Sequence, residues 1–187
     1  MGRGVTLWCG LLLAIGLSGE MALATPNLPP DPPSVAQNLQ ANPSEWTVLE
    51  SNSFRARFPE GYRHSVTNYQ GINSDTWEGE SGDPLHMFTL TVTNLPPGSI
   101  GAANLDEYLF SIIEQRASAL RGEVTQKKRL EHPSAPGCLF KIITSDAEWD
   151  FMVRVRDSSV YLLSVCSMPG EGEDGYKETF FDAFSCY

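Results

Sequence analysis

The chain has 187 residues, of which 41% are hydrophobic and 19% charged, with 16 Gly and 13 Pro. That is the composition of an ordinary globular domain and excludes collagenous, coiled-coil and disordered architectures. Thirteen basic against 23 acidic residues leave a net charge of −10, which opposes general binding of nucleic acid or anionic lipid over the surface.

Residues 1–24 have the three parts of a signal peptide. Arg3 supplies positive charge, Val5 to Leu17 is an apolar run, and Ala22-Leu23-Ala24 is a small-residue cleavage site. The run is shorter than the roughly 20 apolar residues of a bilayer span, and Glu20 interrupts it, so no transmembrane anchor is expected after cleavage. Cys9 lies inside the run instead of just beyond it, which argues against lipid attachment. The reading is export, to a periplasm, a thylakoid lumen or the extracellular space. Residues 25–44 form a linker, because Pro26, Pro29, Pro30, Pro32 and Pro33 favour an extended, solvated chain; a short helix is expected over 34–41. One domain follows over 45–187.

That domain opens with a strand in which Phe54, Ala56 and Phe58 alternate with Arg55 and Arg57. A second strand is expected over 63–69 and a third over 85–93, with Phe88, Leu90 and Val92 on one face. The polar, Gly-rich stretch 71–83 between them reads as a loop. A helix is expected at about 104–121. Leu105, Tyr108, Leu109, Ile112, Ile113 and Leu120 have helical spacing, Asn104 and Glu107 suit a capping box, and Gly122 suits a left-handed stop. Four strands follow, at 124–130, 138–144, 149–156 and 160–167, with turns near Ser145-Asp146 and Asp157-Ser158. The last strand is apolar on both faces, which marks a central position. After an acidic loop at 170–175, Tyr176, Phe180, Phe181 and Phe184 are spaced for a short C-terminal helix. The whole reads as an α+β fold with a mainly antiparallel sheet.

Trp46, the segment Phe54-Arg55-Ala56-Arg57-Phe58-Pro59 and the ending Phe180-Phe181-Asp182-Ala183-Phe184 resemble the opening F-x-x-x-F-P strand and closing F-F-D-S-F helix of exported PsbP-like α/β/α-sandwich proteins. They are also similar to DcrB-type periplasmic proteins. Ala183 stands where that pattern has Ser. The resemblance implies a non-catalytic exported domain, since such proteins are accessory or assembly factors, among them a lumenal photosystem II subunit and a Ran-binding protein. No ligand position carries over from it.

The chemistry-bearing residues give no catalytic signature. His64, His86 and His132 lack metal-ligand spacing, and no nucleophile elbow, phosphate-binding loop or H-E-x-x-H is present. No catalytic residue, metal or cofactor is expected. His86 shares parity with Phe88 and reads as a structural, hydrogen-bonded histidine. Cys138 beside Leu139-Phe140 suits an inert thiol or a disulfide more than a nucleophile. Asp75, Glu78, Glu80 and Asp83 lack the regular ligand alternation of a calcium loop.

Two candidate features remain. In an acidic chain, Arg55 and Arg57 alternate out of one strand and Arg154 and Arg156 out of another. The functional reading is one basic sheet face that takes an anionic partner or an acidic protein surface. The simpler one is cross-strand pairing with acids. An oxidising compartment also permits one disulfide among Cys138, Cys166 and Cys186. In a meander Cys166 lies roughly 20 Å along its strand from the Cys138 level, while a returning final helix brings Cys186 back, so Cys138–Cys186 is preferred and Cys166 is left over. The function expected is that of an exported, non-enzymatic accessory protein with a protein partner. A hydrolase or metal-dependent enzyme without a motif, and a small-ligand carrier, are the alternatives.

Overall fold

A computed structural model describes residues 46–82, 84–101, 103–171 and 175–187. The signal peptide expected at 1–24, the linker expected at 25–44, the helix expected at 34–41, Asp83 and residues 172–174, with the acidic Glu173 and Asp174, lie outside the described residues. The element order is β1 (Thr47–Glu50), β2 (Phe54–Phe58), β3 (Arg63–Tyr69), β4 (Ile72–Ser81), β5 (His86–Asn94), α1 (Leu105–Leu120), β6 (Glu123–Leu130), β7 (Gly137–Ile143), β8 (Glu148–Arg156), β9 (Ser159–Ser167), α2 (Tyr176–Asp182) and β10 (Ser185–Cys186). The strands form two antiparallel sheets, a small one ordered β1-β2-β10 and a seven-stranded one ordered β3-β4-β5-β9-β8-β7-β6. The α+β expectation holds, and β9, apolar on both faces, is the central strand.

The large sheet is covered on both sides. On one face α1 packs over β6 and β7, burying Leu109, Ile113 and Arg116. On the other lies the small sheet with α2. There Phe54, Ala56 and Phe58 of β2 turn inward against Phe88, Leu90, Tyr161 and Leu163. Edge-to-face rings knit this layer, with Trp46 4.7 Å from Phe88 and Phe58 5.2 Å from Phe180. Each fully buried aromatic or aliphatic side chain contributes about 1.5–3 kcal/mol, so the Trp46, Phe54, Phe58 and Phe180 positions that carried the family resemblance are core positions.

Three local expectations are corrected. The supposed loop 71–83 is mostly the ten-residue strand β4. Gln70 and Gly71 both have positive φ, which closes a two-residue hairpin of the type that matches strand twist, and a strand whose only large apolar residues are Ile72 and Trp77 carries no hydrophobic alternation to announce it. Gly79 in β4 sits where a Cβ would press on Pro59 and Phe58 at 3.3–3.4 Å, so the glycine admits the small sheet rather than marking a loop. Asn104 holds the N-cap position of α1 but gives it no side-chain capping bond; its Oδ1 accepts from the Gly101 N–H at 2.7 Å instead. The left-handed stop is Arg121, at φ 53°, and not Gly122. Gly122 is required for another reason: its Cβ would stand 2.5 Å from Ile142 Cγ2. Beyond α2 the chain adds β10, paired to β2, which the helical spacing of the aromatics did not foretell.

Candidate functional site

The small sheet packs mainly over the β4-β5-β9 part of its face, as the contacts of Trp46 with Phe88 and of Phe54 with Trp77 and Tyr161 mark, and reaches β8 at β10 through Arg156. The β6-β7-β8 part continues past it, and α2 stands along the boundary. The result is a groove of about 470 Å³.

Strand register composes the floor. Lys128, Leu139 and Met152 lie side by side across β6, β7 and β8, as do Leu130, Gly137 and Arg154. Because alternate residues share a face, Leu130, Leu139 and Met152 make an apolar floor, with Lys128 and Arg154 rising from the same face. Lys177 and Phe181 of α2 form the wall, with Glu178 and Asp182 beside them. None of the lining residues is His, Cys, Ser or Thr.

Charge is arranged in two parts. At one end Lys141 bonds Glu148 at 2.6 Å and lies 3.8 Å from Asp150, which Lys177 meets at 3.7 Å. Burial pushes the Asp150 carboxyl above its usual range, against the pull of Lys177 and Lys141. Glu148 is held below its usual range, first by the Lys141 hydrogen bond and then by the Gly170 N–H. These acids and lysines largely neutralise one another. At the other end, Lys128 has no ion-pair partner among the described residues, and Arg154 donates to a single carbonyl, Ala135 O, at 3.0 Å. The groove therefore sets Lys128 and Arg154, neither in an ion pair among the described residues, beside an apolar floor, with Asp182 on the α2 side as the one lining acid outside an ion pair among those residues.

The four arginines singled out from the sequence do not share a sheet. Arg55 and Arg57 point to solvent from the outer face of the small sheet, with Arg55 directly opposite Glu50. Arg154 and Arg156 belong to the large sheet, where Arg154 lines the groove and Arg156 donates to Cys186 O at 3.1 Å, tying β8 to β10. The expectation of one basic face is thus corrected, because β2 and β8 fall in different layers.

The expected Cys138–Cys186 bridge is corrected as well. None of the three cysteines of the described domain is in a disulfide. Cys138 shares the α1 face of the large sheet with its cross-strand neighbour Arg129, while Cys186 packs on the opposite side, in the small-sheet layer, so the sheet itself separates them. Cys166, beside Trp149, shares the face of Cys138, beside Val153, but four residues of β8, about 13 Å, lie between those levels. Burial raises the Cys138 thiol to about 11, despite Arg129 and Lys127, which makes it a poor nucleophile. His132 is occupied as a turn cap, its Nδ1 accepting from the Ser134 and Ala135 N–H groups.

His86 is buried against Tyr176 and Phe88, in keeping with a structural role. Asp75 pairs with His64 at 3.0 Å. Glu78 and Glu80 alternate with it along β4 onto the other face, and no group of three metal-ligating side chains occurs among the described residues. Lys128, Asp150, Lys177 and Phe181 escaped the sequence reading. The consecutive cations of 127–129 and the charged alternation of 148–156 were the only signals for Lys128 and Asp150, and Phe181 showed only as a helix-spaced aromatic; none of these reveals which elements are neighbours.

No protein-family model matches the sequence, and no curated protein matches it. In fold the chain is similar to the solution structure of cyanobacterial PsbP (CyanoP) from Synechocystis sp. PCC 6803. The TM-score is 0.56 at 7% identity, over 75% of this chain and 92% of that one. At that identity the likeness is one of architecture, and it establishes a PsbP-like fold.

Proposed function

We propose that this chain is an exported, non-enzymatic accessory domain of the PsbP type, and that the groove between α2 and the β6-β7-β8 face receives an acidic segment of a protein partner with an apolar anchor. The observation that carries this reading is the apolar floor of Leu130, Leu139 and Met152 flanked by Lys128 and Arg154 in a chain of net charge −10. Such local complementarity selects acidic partners, while the negative remainder of the surface repels non-specific ones. A lining without His, Cys, Ser or Thr favours binding over nucleophilic chemistry. The leader-like residues 1–24 and the PsbP-like fold support a periplasmic, lumenal or extracellular setting. The carrier alternative called for a cavity beside α1, whereas this groove lies on the opposite face of the sheet.

A peptide-display selection against the purified chain tests the proposal, with the Lys128→Glu/Arg154→Glu variant as counter-target. Enriched sequences should combine Asp or Glu with an aromatic or aliphatic residue and should lose at least tenfold in affinity on the variant. Enrichment without acidic residues, or equal binding to both proteins, would refute it.

A further inference from the structure

The two edges of the large sheet are built differently. At the β6 edge, Lys127, Lys128 and Arg129 stand in succession, the register slips between Val124 and Gln126, and α1 lies alongside, with Lys127 over Phe110 and Arg129 bonded to Asp106. Consecutive cations and a bulge are the devices that keep an edge strand from pairing with another chain. The β3 edge has neither. All seven of its residues are exposed, it has no Lys or Pro, and its register with β4 runs unbroken from Arg63 to Tyr69.

The hairpin geometry shows which backbone groups of β3 are left unpaired among the described residues. The two-residue turn at Gln70-Gly71 makes Tyr69 and Ile72 the closing, hydrogen-bonded pair. Alternation then assigns Thr67, Ser65 and Arg63 to bonds with β4, and leaves the N–H and C=O of His64, Val66 and Asn68 directed outward. These three positions are symmetric about Val66, so a second copy of the strand laid antiparallel sets Val66 against Val66, and His64 against Asn68. All three are hydrogen-bonded pairs, with about six backbone bonds between the copies. Side chains agree with this register. Val66, 62% exposed in the single chain, meets its own counterpart on the two-fold axis. Arg63 falls opposite Tyr69, and Ser65 opposite Thr67, so no like charges oppose each other.

From this we infer that β3 is a self-association edge, through which two copies of the chain pair about a two-fold axis at Val66 and join their seven-stranded sheets. The contact is narrow, so the dimer is weak, forming near about 100 μM. Sedimentation equilibrium of the 187-residue chain should show a concentration-dependent monomer–dimer transition, and the His64, Val66 and Asn68 amides should become protected from exchange only where the dimer is populated. Val66→Pro removes an N–H that the hairpin does not use, so it should abolish dimerisation and leave the circular dichroism spectrum unchanged. Val66→Lys, which sets two ammonium groups on the axis, is the second variant should the proline disturb folding. A wild-type chain that stays monomeric to about 1 mM overturns the inference. So do variants that dimerise like wild type, or protection of those three amides in the monomer, which would place another strand there.

Discussion

Arg116 offers the sharpest test of how this fold is held together. It sits on the inward stripe of α1 with Leu109 and Ile113, only 8% exposed, and no acceptor or carboxylate meets it among the described residues. Burial pulls its guanidinium down to about 10. At about 1.4 kcal/mol per pK unit, that displacement corresponds to roughly 3 kcal/mol against the charged form, an upper bound on what the folded state loses by holding it. The folded-state value is lowered for a base, so the penalty is present in full below about 10 and is relieved only as pH rises through that value, beyond the useful range for folding studies. Substitution is the practical probe. Arg116→Met keeps length and helix propensity and removes the charge. After allowance for lost contacts of the stem, it should stabilise the domain by about 1–2 kcal/mol, raising the melting temperature by about 2–8 °C. Urea unfolding followed by circular dichroism should show a higher midpoint at unchanged slope. A loss of more than about 1 kcal/mol would show that the guanidinium is compensated and would overturn the reasoning.

Three further outcomes are expected. With a folded-state carboxyl above its usual range, Asp150 counts against stability once ionised, so the stability of wild type relative to Asp150→Asn should fall as pH is raised from the ordinary carboxylate range through the folded-state value; urea midpoints between about pH 4 and 7 that diverge the other way would contradict this. Cys138 and Cys166 are buried and unbridged, so a native sample should leave both unreacted towards a thiol reagent until urea is added, and a mass map of the non-reduced protein that finds either of them bridged would contradict the structure. Gly122→Ala should cost about 2 kcal/mol or more, because the added methyl meets Ile142 and the Ile143 carbonyl within 2.8 Å; a neutral result in thermal unfolding would mean that α1 and β7 are not packed as described.

Legibility tracked the strength of each local signal. Strands with period-two apolar alternation, such as Phe54–Phe58 and His86–Asn94, and the 3.6-residue stripe of α1 were readable, because one face of each meets a core. β4 was not, since its residues are almost all polar and its identity as a strand comes from pairing with β3 and β5. The same limit governed the site. Arg154 was picked out by its alternation, but its grouping with Lys128 and Lys177 depends on β6, β7, β8 and α2 being neighbours. Arg55 and Arg57 show the identical pattern and belong to another layer.

By itself the amino-acid order determined the α+β class, the central place of the Val160–Val165 segment and the inward set of aromatic rings, because burial preference and periodicity are properties of short stretches. Tertiary structure alone decided that there are two sheets instead of one, that Cys138 and Cys186 lie on opposite sides of the larger, and that a groove opens where the smaller ends. Those are relations between segments far apart in the chain, set by which strand edges pair and which faces stack, and local patterning does not encode them.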